Sequence, residues 1–171
     1  MSHSDLGPVV SSAHLAAGRF PELSEFEFGL NIAANSFHRW TMRAMAASGH
    51  ADMSALEVLV LHTVRHRGRA KTLADICLVL NVEDTHTVNY AISKLARAGL
   101  VKAGKQGKEK TVAATEAGAR ACERYREIRD GLLLNAIDEL GIAPDQISRL
   151  SALLRLMSGQ YDQAARAATT V

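Results

Sequence analysis

KTLADICLVLNVEDTHTVNYAISKLARAGLVKAGKQGKEKTVA, residues Lys71–Ala113, is the stretch that decides the fold. Thr72 with Asp75 three residues on is close to a capping box and opens a short helix. Leu73, Ile76, Cys77 and Leu80 recur at helical spacing and give that helix one apolar face. Asn81-Val82-Glu83 makes a tight turn, and Asp84 is an N-cap for a second helix. This second helix is expected to bury Val88, Ile92 and Leu95 and to stop at Gly99, a residue suited to a left-handed cap. Its other face carries Thr85, His86, Asn89, Tyr90, Ser93 and Lys94. Two helices across so short a turn form a helix-turn-helix. Leu100–Ala103 and Thr111–Ala113 read as paired strands, with Gly104 and Gly107 permitting the turn and a polar tip at Lys105–Lys110. The expected fold is mainly α, a winged helix-turn-helix with a small β-hairpin wing and long flanking helices.

Working outward, Ser24 and Glu27 form a capping-box pair, followed by apolar residues at helical spacing from Phe26 to Met45. The spacing predicts a helix to about Ala47, ended by Gly49. Ser54 and Glu57 repeat the pair and start a helix over Ala55–Arg67, expected to bury Leu56, Leu59, Val60, Thr63 and Val64. Beyond the hairpin, Thr115 caps a helix whose stripe (Ala117, Ala121, Tyr125, Ile128, Leu132, Leu133, Ile137, Leu140) runs to Gly141. Pro144 suits the first position of a last helix carrying Ile147, Leu150, Leu153, Leu154, Met157 and Tyr161. The expected organisation is an N-terminal arm over 1–23 and a single domain over 24–171. Within that domain the winged core covers about 52–115, and dimerisation helices cover about 24–48 and 116–162.

Composition narrows the function. Ten Lys/Arg against four acids lie between His62 and Lys110, while the remainder has an excess of acids. A basic middle between acidic flanks suits a polyanion such as duplex DNA. No apolar run has the length of a membrane span. The first residues lack a basic segment before a long apolar core, so no signal peptide is read. Cys77 and Cys122 lie far apart in helical patterns, which fits a reducing cytoplasm better than a disulfide framework. His62 and His66 sit four apart on one helix, but no carboxylate or thiol completes a ligand set; no metal or other cofactor is expected. Without a nucleophile–His–acid order or a phosphate-binding glycine loop, an enzyme is not expected either.

Leu73-Ala74, Leu80-Asn81-Val82, Thr87-Val88, the run Leu95-Ala96-Arg97-Ala98-Gly99-Leu100-Val101 and Ala114-Thr115-Glu116-Ala117-Gly118 carry a resemblance. In that order, between long flanking helices, they resemble the MarR family of bacterial transcription regulators from Ser24 to Tyr161. The sequence departs from the family in the wing, where an Asp-x-Arg pair is usual and Gln106 and Lys108 stand here. It departs also on the recognition helix, where Tyr90 occupies a position that is often Arg. Lysine neutralises phosphate but lacks the planar fork of arginine.

The resemblance implies a homodimeric, sequence-specific regulator on a pseudo-palindromic duplex site, with one recognition helix in each major groove. Thr85, His86, Asn89 and Tyr90 are the expected base readers, and Asn89 suits bidentate reading of adenine. Thr72, Ser93, Lys94 and Arg69 are expected on phosphates, with Lys105, Lys108 and Lys110 of the wing. The family also senses small aromatic or amphipathic molecules, for which His38, Trp40, Arg43, Met45 and His62 are the candidates here. The alternative is a winged-helix module that binds another protein and has lost specific DNA binding.

Overall fold

The computed structural model describes residues 19–170, so most of the arm expected over 1–23 lies outside the described residues. The chain divides into two compact units, one ending at Ile128 and one beginning at Arg129.

In the first unit, α1 spans Pro21–Ala47. It starts three residues before the expected cap: Pro21 presets the helical φ at the first position, and Ser24 lies buried inside the helix. Only the last turns of α1 enter the core, through Thr41, Ala44 and Met45; Ile32 and Phe37 are half exposed. Gly49, at φ +99°, turns the chain toward α2, Ala55–Arg65. The capping box of α2 is formed as expected, with Ser54 Oγ accepting from Glu57 N at 3.3 Å. Its buried set is wider than the predicted stripe. Val58 and Leu61 are fully enclosed, while Leu56 and Leu59 are only partly so, because α2 is packed by α1, α3, α4 and the sheet together. Each such enclosed side chain contributes about 1.5–3 kcal/mol.

The helix stops at Arg65, two residues early. A 3-10 turn over His66–Gly68 follows, with Arg67 and Gly68 both in the left-handed region. The Lys71 ammonium closes this end of α2: it is buried and donates to the carbonyls of His66 at 2.7 Å and Arg69 at 3.3 Å. Burial and the neighbouring Arg69 hold its pKa below the usual lysine value.

Lys71–Thr72 form β1, a strand the sequence reading did not separate from the helix after it. Then come α3 (Leu73–Leu80), α4 (Thr85–Arg97), β2 (Val101–Gln106), β3 (Glu109–Ala114) and α5 (Glu116–Arg129). The sheet is antiparallel in the order β1-β3-β2, pairing Thr72 with Thr111 and Val101 with Ala114. Gly118 lets α5 lie against the end of α4. A Cβ there would collide with the Leu100 carbonyl oxygen.

The second unit holds a π-helical turn over Asp130–Leu134, α6 (Asn135–Glu139) and α7 (Pro144–Ala168). The uninterrupted helix expected to reach Gly141 is thus broken in register. Gly131 weakens the helix there, and the Asn135 amide donates to the Gly131 carbonyl at 3.0 Å. α7 has no buried residue: Ile147, Leu150, Leu153 and Leu154 all reach solvent.

Candidate nucleic-acid interface

The interface is built on α4. Asp84 caps it by accepting from His86 N at 2.9 Å, and the Thr87 hydroxyl donates to its second oxygen. These bonds, the Thr87 hydroxyl first, hold the Asp84 carboxyl below the usual carboxylate range. Val88, Ala91 and Leu95 anchor the inner face in the core. Thr85, His86, Asn89, Tyr90 and Ser93 are all exposed on the outer face, Tyr90 at 63%. Ser93 donates its hydroxyl to the Asn89 carbonyl at 2.9 Å, which leaves it an acceptor toward any ligand.

At the α3 end, Thr72 accepts from Asp75 N at 3.1 Å and Asp75 accepts from Thr72 N at 3.0 Å, so the first turn is fixed. The turn between the helices closes on Asn81, in the left-handed region at φ +52°. Arg69 is exposed beside Lys71, next to the segment Ala113–Glu116 that enters α5.

The wing is more regular than expected. Its strands extend through Gln106 and from Glu109, leaving a two-residue turn at Gly107-Lys108 with Gly107 at φ +62°. Lys105 and Lys110 are therefore not in a polar loop; they face each other as a directly paired couple. Like charges opposite one another destabilise a hairpin, and a polyanion removes that penalty. At Gly104 the strands lie close, and a Cβ would meet the Thr111 hydroxyl at 3.1 Å.

One expected phosphate contact is already occupied. The Lys94 ammonium lies 3.0 Å from Glu57 Oε1 and donates to the Asp52 carbonyl at 3.2 Å. Glu57 was invisible as a partner because it is 37 residues away, and its sequence role as a cap is complete without Lys94.

The residues expected to line an effector site separate. Met45 is fully enclosed in the core, and Ser48 donates to its sulfur. His38 and Arg43 are exposed. Trp40 and His62 are joined through Tyr125, edge-on to both, with ring centroids 6.5 Å from Trp40 and 4.6 Å from His62. His62 turns inward: its Nε2 is buried without a hydrogen-bond partner among the described residues. Burial lowers its pKa. A largely apolar cavity of about 380 Å³ adjoins it, lined by Leu59, Thr63, His66, Val79 and Leu80 together with His62 and Lys71. Among the described residues no group of three or more His, Cys, Asp or Glu could hold a metal, and no helix is long and apolar enough to cross a membrane.

A polar helix on a short turn, a three-stranded sheet and a basic hairpin make up a winged-helix fold. Residues 53–118 match a family model described as a winged helix DNA-binding domain. The larger fold is that of MarR-family transcription regulators. A MarR variant from E. coli complexed with operator DNA superposes with a TM-score of 0.64 at 19% identity, over 82% of this chain and 99% of that one. A MarR-family transcriptional regulator from Rhodococcus sp. RHA1 gives 0.63 at 16% identity, over 78% and 91%. CouR from Rhodococcus jostii RHA1, bound to p-coumaroyl-CoA, gives 0.62 at 16% identity, over 77% and 90%. No curated protein matches the sequence.

Proposed function

We propose that this chain is a MarR-type transcription regulator that acts in the cytoplasm as a homodimer on a pseudo-palindromic duplex site. The observation that carries the reading is the exposed face of α4, whose polar side chains stand clear of a fully anchored helix and lead directly into a cationic wing. Thr85, His86, Asn89 and Tyr90 read base edges, Asn89 through its amide on adenine. Thr72, Ser93 and Arg69 hold phosphates, joined by Lys105, Lys108 and Lys110 from the wing. The wing acts as an electrostatic clamp, since its lysines lack the fork with which arginine enters a narrow groove.

Operator DNA in the E. coli structure supports this reading, and p-coumaroyl-CoA bound to CouR supports a small-molecule effector, which here would relieve DNA binding. In this chain the largely apolar cavity lined in part by His62 suits a small aromatic or amphipathic molecule. Trp40 belongs to the same ring cluster; His38 and Arg43 would meet a ligand only from the surface.

Selection of duplexes from a random library by the purified chain tests the proposal. A palindromic consensus should emerge, and its affinity should fall linearly with salt on logarithmic axes. An unenriched library would return the chain to the reading of a protein-interaction module. Replacing Asn89 by Ala should relax one position of the consensus at a cost of about 1–3 kcal/mol.

A further inference from the structure

The Lys94–Glu57 pair joins elements far apart in sequence, and it does so at the helix that carries the reading face. Glu57 is almost wholly enclosed, with its side chain 6% exposed, against 38% for Lys94. One carboxylate oxygen accepts from Ser54 N at 3.3 Å and the other from the Lys94 ammonium at 3.0 Å. The same ammonium reaches the Asp52 carbonyl, so a single cation ties the turn before α2, the first turn of α2 and the third turn of α4.

We propose that Lys94 is a positioning residue for base reading: held by Glu57, it sets the pose of α4 and takes no part in neutralising phosphate. The inference rests on the DNA reading above. Base contacts need side chains placed to a fraction of an ångström, whereas phosphate neutralisation tolerates a helix that shifts. A loosened α4 therefore loses specific affinity and keeps non-specific affinity. Lys94 occupies the inner flank of the helix, one turn beyond Asn89 and Tyr90, so any tilt released there moves the residues that carry the reading.

The test compares wild type with Lys94→Met, Lys94→Arg and Glu57→Gln. Each binds a duplex recovered by selection and a random duplex across a salt series, with thermal melting to show that each is folded at the assay temperature. Lys94→Met and Glu57→Gln should lose on the order of tenfold in affinity for the selected duplex, the scale of one charged hydrogen bond. Their affinity for the random duplex and their salt slopes should be unchanged, and Lys94→Arg should restore the selected affinity. Glu57→Gln is the sharpest arm, because removing a negative charge would by electrostatics alone tighten DNA binding. A salt slope reduced by about one unit in Lys94→Met, with both duplexes weakened alike, would mean a phosphate contact and overturn the inference. So would tighter binding by Glu57→Gln. Should that variant not fold, the two Lys94 variants decide the matter alone. A wild-type chain that selects no sequence overturns the DNA reading and this inference with it, an outcome visible before any variant is measured.

Discussion

Gly118 shows how one residue can hold two elements in register. Its missing side chain lets α5 touch the backbone of Leu100, and the nearest groups to a new Cβ would be the Leu100 carbonyl and the Leu61 methyl at 3.2 Å. Backbone cannot swing aside as a side chain can. Gly118→Ala should therefore destabilise the first unit by about 2–3 kcal/mol, read as a lower denaturant midpoint with unchanged slope. His62 makes a second prediction at this scale. Its folded pKa lies below the ordinary 6.5, so the unfolded chain takes up a proton that the folded chain refuses. Stability present above pH 6.5 should be lost as pH falls through that value toward the folded pKa. His62→Phe, which keeps a ring against Tyr125, should flatten the loss between pH 7 and 5. Asp75 and Asp84, held below the usual carboxylate range by cap hydrogen bonds, act in a lower window and leave this one clear. Cys122 is pushed the other way, up to about 11 by burial, and stays a thiol at neutral pH.

At the scale of elements, periodicity and caps carried much of the reading. The run LADICLVL is apolar throughout, yet helical spacing separates the enclosed Ile76 and Cys77 from Leu78 and Val79, which are 82% and 65% exposed. Asp84, Ser54, Gly99 and Pro144 mark helix ends where the structure has them. The errors have physical causes. A proline overrode the Ser24 cap, and α2, packed on several sides, hides more than one stripe. Strand Lys71–Thr72 is two residues long and exists only because β3 pairs with it. In the wing, pairing rather than composition fixes Lys105 opposite Lys110. Replacing both with Gln should reduce the salt slope of DNA binding by about two units. The same change should leave the melting temperature equal or slightly higher, since it removes a like-charge pair.

For the whole molecule, apolar surface left open on α1 and on α7 is the feature that asks for a partner. Ile147, Leu150, Leu153 and Leu154 recur at helical spacing along α7, and none is enclosed within the chain. If a second copy covers them, wild type should sediment at twice the chain mass. Leu153→Glu with Leu150→Glu should then yield a monomer that retains its helical signal and loses cooperative binding to a palindromic duplex. A monomeric wild type at micromolar concentration would remove the dimer from the proposal.

The sequence by itself determined the order of the helices from α1 to α5 with the wing between the last two, the helix-turn-helix and the identity of the exposed face on α4. These follow from local rules: spacing of apolar residues, capping side chains and glycine where φ is positive. Tertiary structure alone decided which charges are free. Lys94 and Lys105 look equivalent in the sequence, yet one is bound to Glu57 and the other faces Lys110 in the wing. It alone enclosed Met45, left Nε2 of His62 buried without a hydrogen-bond partner among the described residues, and brought Trp40 and Tyr125 together. The reason is range. Periodicity records interactions within a few residues, whereas a buried ion pair or a cavity wall is set by elements tens of residues apart that meet only once the core has formed.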